Sequence, residues 1–251
     1  MLQLKNSRRT KRAESKSPES SILLLKLSGE AFGQGKINPS KVEKLAQRLA
    51  KIQKTGTTFA IVIGGGNFWR FRDQTQQTFL PRQQSDFLGM LATFFNGVVL
   101  TAALKKFKVA ATTFSKVPIP RELALPYNKQ KIRKKLQNGE LVILIGGTGR
   151  SGVTTDTAAA QFAIELKCQG FLKATNVRGI FNSDPKKNPR AKFLKALTFA
   201  EALQQKIGVC DQNVFRLLKP AKIPVLIFNF QTPNNLEKAA RGELVGSKIL
   251  P

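Results

Sequence analysis

Three apolar segments of this chain run directly into glycine, and this feature restricts the fold more than any other. They read "SILLLKLSGE" (21–30), "TFAIVIGGGN" (58–67) and "LVILIGGTGRSG" (141–152). Short, continuous runs of branched apolar residues are typical of strands buried on both faces of a parallel sheet. Ligands bind at the carboxyl ends of such strands, so glycine at three of these ends predicts a site where a ligand approaches the backbone.

Helical segments separate the strands. Ser40 and Glu43 form a capping-box pattern at the start of one predicted helix, and Thr198 and Glu201 form another. Further strands are predicted at 108–113, 170–175, 224–228 and 247–250. This alternation predicts an α/β fold, a three-layer αβα sandwich with a mostly parallel central sheet, formed by residues 21–251 as one domain.

The composition excludes several kinds of chemistry. The chain has no histidine, which excludes Ser-His-Asp and Cys-His catalysis and zinc bound by histidine. Its two cysteines, Cys168 and Cys210, form no CxxC pair and are predicted to be buried free thiols in a reducing compartment. We therefore expect a cytoplasmic protein with no metal site built from its own side chains.

The net charge of +27 permits polyanionic partners, including nucleic acid, acidic membranes and small phosphates. The basic residues are scattered, and no RNA-binding aromatic motif accompanies them, so nucleic-acid binding is possible but is not predicted. Residues 1–20 are polar, basic and rich in serine, which predicts a disordered arm.

One uncharged segment, "FLGMLATFFNGVVLTAAL" (87–104), approaches the length that spans a membrane. It contains Asn96 and is flanked by α/β elements on both sides. We therefore predict a helix buried in a soluble core and no membrane contact.

The loop "GTGRSG" (147–152) matches the dinucleotide-binding pattern G-x-G-x-x-G. That pattern requires an acidic residue near the end of the next strand, where this chain has Lys173, Thr175 and Asn176, although Arg178 could suit NADP. A chain of bound phosphates explains more residues, because Lys26 and Arg70 stand beside glycine loops and helix starts offer free N–H groups.

Six segments resemble the bacterial uridylate (UMP) kinases of the amino acid kinase superfamily, and the resemblance covers residues 21–251. They occur in the family's order and at similar spacing: "LLKLSGEAFG" (24–33), "IVIGGGNFWR" (61–70), "DFLGMLATFFNG" (86–97), "GGTGRSGVTTDTAA" (146–159), "LKATNVRGIFNSDP" (172–185) and "VCDQNVF" (209–215).

The resemblance implies transfer of the γ-phosphoryl group of ATP to UMP, with Mg²⁺ accompanying ATP. It implies catalytic roles for Lys26, Asp156 and Asp211. The implied ATP-binding residues are Lys26, Leu27, Ser28, Gly29, Gly66, Arg70, Thr175, Phe181 and Asp184. The implied UMP-binding residues are Gly65, Asp86, Thr148, Gly149, Arg150, Ser151, Gly152, Val153, Thr154 and Thr155. The N-terminal part of the domain would lie mainly on the UMP side and the C-terminal part mainly on the ATP side.

The chain departs from the family's pattern in ways that matter for specificity. Residues 150–153 replace an asparagine, a proline and two aromatic residues that are common in relatives, so selectivity for UMP stays open. Thr101 and Ala102 stand where relatives often have an Arg-Asp pair near a GTP site, so GTP activation is not predicted. Relatives are typically hexamers, which implies a homo-oligomer.

Two alternative functions stay open from the sequence. One is an NAD(P)-dependent oxidoreductase, based on the G-x-G-x-x-G pattern alone. The other is a catalytically weak kinase-fold protein that binds nucleic acid through its basic surface.

Overall fold

The computed structural model describes residues 21–70, 79–183, 185, 187–205 and 207–251. Eleven strands are present in the described residues: β1 Ile22–Leu27, β2 Thr58–Ile63, β3 Ala111–Ser115, β4 Leu125–Pro126, β5 Leu141–Ile145, β6 Gly170–Thr175, β7 Ile180–Phe181, β8 Phe193–Leu194, β9 Ala196–Thr198, β10 Val225–Asn229 and β11 Ser247–Leu250. The α-helices there are α1 Pro39–Gln53, α2 Arg82–Lys106, α3 Lys129–Gln137, α4 Thr155–Glu165, α5 Phe199–Gln204, α6 Gln212–Ala221 and α7 Asn235–Ala240.

Nine of the strands form one sheet in the order β4-β3-β5-β2-β1-β6-β10-β11-β9. Neighbouring strands are parallel throughout, except that β11 runs antiparallel to β10. The remaining two strands, β7 and β8, form a separate antiparallel hairpin. The predicted mostly parallel α/β sheet is therefore confirmed.

Helices cover both faces of the sheet. One core lies between the sheet and helices α3, α4, α5 and α6, and it includes Leu24 and Val62. The other lies between the sheet and helices α1, α2 and α7, and it includes Leu25 and Ile61. Because side chains alternate along a strand, these neighbours in sequence belong to opposite cores. This arrangement gives the three predicted layers.

The predicted start of the first helix was wrong by a short distance. Helix α1 begins at Pro39, and the Asn38 side chain accepts the N–H of Lys41 at 3.1 Å, so Ser40 and Glu43 lie inside the helix. Proline suits the first helical position because its missing N–H would have no partner there. The predicted capping box of Thr198 and Glu201 is confirmed at α5.

The prediction that segment 87–104 is buried needs a correction. Helix α2 is long and apolar enough to cross a membrane by length and composition, but only 33% of that apolar window is buried. Leu100 and Leu104 enter the core, whereas Phe87 and Phe95 are 46% and 63% exposed. The sequence could not indicate this division, because apolar residues occupy both sides of the helix.

Candidate active site

The carboxyl ends of β1, β2, β5 and β6 meet at a cavity of about 610 Å³. Fifteen of the site residues predicted from the sequence line it: Lys26, Ser28, Gly29, Gly65, Gly66, Arg70, Asp86, Thr148, Arg150, Val153, Thr154, Thr155, Asp156, Thr175 and Asp211. The structure therefore brings the three glycine-rich strand ends together at one place.

Other predicted residues lie away from the cavity wall. The Leu27 side chain is fully buried in the core, and Phe181 packs edge-on against Phe193 at 5.4 Å between ring centroids. Gly149 is in the loop after β5 but does not line the cavity. Asp184 and the predicted arm, residues 1–20, lie outside the described residues.

A buried charged cluster forms the floor of the cavity. Asp156, in the first turn of α4, forms ion pairs with Lys26 through Oδ1 at 2.9 Å and with Lys173 through Oδ2. The side chains of Lys26, Asp156 and Lys173 are 12%, 14% and 7% exposed. Two ammonium groups share one carboxylate, so the cluster carries a net positive charge that suits a phosphate.

The protonation states follow from burial and pairing. Burial alone would raise the pKa of the Asp156 carboxyl, but the charges of Lys26 and Lys173 outweigh this effect and hold that pKa well below its usual range. Burial lowers the pKa of Lys26, and Asp156 offsets this only in part. For Lys173 the nearby carboxylate outweighs burial, and the pKa rises. Asp156 is therefore an anion that holds two lysines in place.

Lys173 was missed by sequence reasoning. It lies within the apolar strand β6, opposite Lys26 in the register of the parallel pair β1 and β6. Both side chains point to the face of the sheet that α4 covers. A lysine inside a buried strand was the available signal, because buried charge requires a partner.

Asp211 connects two helix starts beside the cluster. Its carboxylate accepts hydrogen bonds from the hydroxyls of Thr154 and Thr157 at 2.6 and 2.8 Å and from the N–H of Asn213 at 3.0 Å. Burial opposes ionisation, but these hydrogen bonds outweigh it and lower the pKa of Asp211. Helices α4 and α6 thus begin at a shared anion, and the N-terminus of α4 points into the cavity.

Close packing within the protein requires glycine at the centre of the triplet, at Gly65. A Cβ atom on Gly65 would lie 2.7 Å from the Cβ of Ala92 in α2, which is closer than such atoms approach each other. A Cβ atom on Gly29 would lie 2.6 Å from the N of Asn67 and 2.7 Å from the N of Gly66. The loops after β1 and β2 therefore touch through their backbones.

Arg70 is anchored beside these loops. Its guanidinium forms an ion pair with Glu30 and donates from Nε to the carbonyl of Gly66 at 3.0 Å. Glu30, in a short 3₁₀ turn after β1, is a second cavity residue that sequence reasoning missed.

The opposite rim of the cavity is more exposed. Asp86 of α2 accepts hydrogen bonds from the Ser151 hydroxyl and the Gly152 N–H, each at 2.7 Å, and from Arg82 Nε at 3.0 Å. Burial opposes ionisation, but the bonds from Gly152, Ser151 and Arg82 outweigh it and lower the pKa of Asp86. Ser151 and Gly152 do not line the cavity but hold the residue that does.

Cys210 lines the cavity next to the charged cluster. Burial raises its pKa to about 12, so the group is a neutral thiol near pH 7. A neutral, buried thiol is a poor nucleophile.

The comparisons with known proteins agree with this geometry. Residues 21–229 match the model of the amino acid kinase family. The chain is 38% identical over 232 residues to a uridylate kinase of Mycoplasmopsis synoviae, covering 90% of this chain and 97% of that protein.

Two further similarities extend the comparison. A chloroplastic uridylate kinase of Arabidopsis thaliana is 37% identical over 230 residues, which cover 90% of this chain and 68% of that protein. The crystal structure of a UMP kinase from Bacillus anthracis superposes with a TM-score of 0.86 at 33% identity, covering 92% of this chain and 96% of that one.

Proposed function

The chain belongs to the amino acid kinase family and is a UMP kinase, and from that premise we propose how its residues divide the reaction. The enzyme transfers the γ-phosphoryl group of ATP to a phosphate oxygen of UMP. The new bond forms between that oxygen and the γ-phosphorus, and the bond to the β-phosphate oxygen breaks, giving UDP and ADP. Neither the oxidoreductase nor the nucleic-acid-binding alternative is supported by the relatives found.

The observation that carries this proposal is the Lys26–Asp156–Lys173 cluster on the cavity floor. Phosphoryl transfer needs positioning and charge stabilisation more than a strong base, because the acceptor is already an anion. We assign Lys26 to stabilising the transferring phosphoryl group and Asp156 to holding both lysines. Lys173 contributes the second positive charge of the cluster. A protein without histidine can carry out this chemistry.

The ATP phosphates are assigned to the loops after β1 and β2. Ser28, Gly29 and Gly66 offer backbone close to the cavity, and Arg70 supplies a guanidinium that Glu30 orients. Because Glu30 holds the Arg70 guanidinium in place, Arg70 loses less conformational entropy when a phosphate binds. Thr175, at the end of β6, is assigned to the nucleoside of ATP.

UMP is assigned to the side of the cavity formed by Gly65, α2 and the loop 146–154. The start of α4 presents backbone N–H groups and the Thr155 hydroxyl to the UMP phosphate, while the Thr154 hydroxyl donates to Asp211. Asp86 is assigned to the ribose, and Arg150 and Val153 to the base. A ribose hydroxyl would compete with Ser151 and Gly152 for the carboxylate of Asp86.

The described residues fit a magnesium ion that arrives with ATP. Magnesium at phosphate sites is usually held by one or two carboxylates together with substrate phosphates and water. In the described part of the chain no cluster of three metal-ligating side chains occurs. Among the described cavity residues, Asp211 is the carboxylate for which the structure shows no ion pair. We therefore assign Asp211 to the magnesium ion, which would neutralise charge on the phosphates.

A homo-oligomer, with a hexamer as the specific proposal, would cover the exposed side of α2. Five apolar residues recur at helical spacing on that side: Phe87, Leu91, Phe95, Val98 and Ala102. The Phe95 ring lies tilted against the Phe68 ring, with 5.7 Å between the ring centroids. Light scattering after size exclusion would test this, with Phe95→Asp expected to give smaller particles. A monomeric wild-type protein would contradict the proposal.

We propose a cytoplasmic location, with a plastid as the second candidate because one relative is chloroplastic. No nucleic-acid or membrane role is proposed. Imaging of the full chain fused to a fluorescent protein would separate the two compartments.

The function is tested by ADP release in the presence of Mg²⁺ and ATP, with UMP, CMP, dUMP and TMP offered separately. Turnover with UMP is expected. Additional turnover with CMP would indicate that the altered loop residues 150–153 select the base less strictly, and turnover with dUMP would indicate less strict selection of the ribose. No turnover with any nucleotide, in folded protein that binds ATP, would contradict the proposed function.

A further inference from the structure

Helix α2 carries a buried amide that reaches the ATP side of the cavity. Asn96 is fully buried, and its Nδ2 donates to the carbonyl of Gly64 at 2.9 Å and to Asn67 Oδ1 at 2.8 Å. Asn67 Nδ2 donates in return to Asn96 Oδ1 at 3.0 Å. Because Asn67 packs against Gly29, this amide pair connects α2 to both loops assigned to the ATP phosphates.

The same helix also reaches the UMP side through a single hydroxyl. Thr93 is 3% exposed, and its Oγ1 accepts the N–H of Gly146 at 2.7 Å while donating to the carbonyl of Met90 at 2.6 Å. Gly146 has φ of +73° and begins the loop that leads to the UMP phosphate site. Thr93 lines the cavity, but its hydroxyl proton is donated to Met90, so the hydroxyl holds the loop through Gly146 and does not also donate to UMP.

Breaking one of these hydrogen bonds would leave a buried N–H or carbonyl without a partner, and this costs free energy because the group has also lost its contacts with water. Each hydrogen bond therefore fixes its loop relative to α2. Close packing adds to this, since a Cβ on Gly65 would overlap Ala92 of the same helix. One rigid helix therefore sets the positions of both sets of phosphate loops.

We propose that Asn96 and Thr93 are positioning residues that separately set the two substrate sites, Asn96 for ATP and Thr93 for UMP. The inference rests on the proposed function, because it assigns the first loops to ATP and the second to UMP. It predicts that loss of each contact changes the kinetics of one substrate more than the other.

The test is steady-state kinetics on the full chain with ATP and UMP varied in turn. Thr93→Val keeps the shape but leaves the Gly146 N–H without an acceptor, and we expect KM for UMP to rise about tenfold with KM for ATP within about twofold. Thr93→Ser retains the hydroxyl and should restore KM for UMP. Asn96→Ala should raise KM for ATP and lower kcat, each about tenfold.

Thr101→Val is the matched control. Thr101 lies on α2, and its hydroxyl donates to the carbonyl of Gly97 and shares a hydrogen bond with the Thr113 hydroxyl. The variant therefore also loses internal hydrogen bonds, but these contact neither loop. Its kinetic constants should remain within about twofold of wild type. A double-mutant cycle of Asn96→Ala with Asn67→Ala should be non-additive in kcat/KM for ATP, because the pair acts as one unit.

The outcomes separate the two proposals. Wild-type protein that does not phosphorylate UMP would overturn the proposed function before any variant is measured. Active wild type with both KM values changed equally in Thr93→Val, or changed no more than in Thr101→Val, would overturn the positioning inference. If Asn96→Ala does not fold, the Thr93 series and its serine rescue decide the question alone.

Discussion

The floor and the rim of the cavity are built from different kinds of structure. On the floor, Lys26 and Lys173 project from paired strands toward Asp156 at a helix start, and all three side chains are almost fully buried. At the rim, Asp86 is held by Ser151 and Gly152, which belong to an exposed loop.

This difference separates chemistry from selectivity. The register of two strands fixes the distance between the lysines, so a change on the floor disturbs both charge and packing. The loop at the rim is attached to the rest of the protein by a few polar contacts, and this is where the chain departs from the family's pattern, at residues 150–153. Substitutions at the rim are expected to change substrate binding before they change turnover.

The largest effect is expected from Lys26→Ala. Removing the cation assigned to the transferring phosphoryl group should lower kcat by about 10³-fold, as for loss of one preorganised electrostatic contact. Stopped or coupled ADP-release assays would measure it. Lys41→Ala, at an exposed position on α1, is the control and should keep wild-type kcat. Near-normal turnover of the Lys26 variant would contradict a role of the cavity-floor cluster in phosphoryl transfer.

Asp156→Asn tests whether the floor is a structural unit. The variant leaves two buried ammonium groups without their carboxylate, and we expect the free energy of unfolding to fall by about 3 kcal/mol. Urea unfolding would measure the loss. The matched control is Glu43→Gln, which breaks the exposed ion pair with Lys106 and should cost less than about 1 kcal/mol. Equal losses in the two variants would show that burial does not matter here.

Asp86→Asn tests the rim. The amide keeps the size of the side chain but loses the charge that strengthens its hydrogen bonds, so KM for UMP should rise about tenfold. We expect kcat to stay within about threefold, as the floor is unchanged. Glu243→Gln, in an exposed pair with Arg241, controls for loss of a surface charge. A fall in kcat as large as for Lys26→Ala would erase the distinction between floor and rim.

The smallest effect is expected from acid, which should reduce the contribution of the Asp156 ion pairs to the free energy of unfolding. The pKa of Asp156 is lower in the folded protein than in the unfolded chain, so the ion pairs contribute full stability above about pH 4 and lose it as the pH falls below that value. Between pH 6 and pH 3, wild type should lose about 1 kcal/mol more unfolding free energy than Asp156→Asn. Chemical denaturation at both values would measure it, and parallel losses would contradict the assignment.

Much of the fold follows from local sequence. The strands β2, β5 and β6 begin and end where the sequence predicts, because a short and largely apolar segment between helical segments favours a buried strand. The glycines at the ends of β1, β2 and β5 identified the functional edge of the sheet. The family resemblance then predicted about half of the residues that line the cavity.

Other features were decided only by the tertiary structure. The pairing of Lys173 with Asp156, the contacts of Asn96 and Thr93, and the exposed side of α2 all depend on residues far apart in the chain. Local patterns record which residues prefer burial but not which partner a buried polar group meets. Strand register and helix packing set that partner, so the role of a lysine inside a strand becomes clear only in the folded protein.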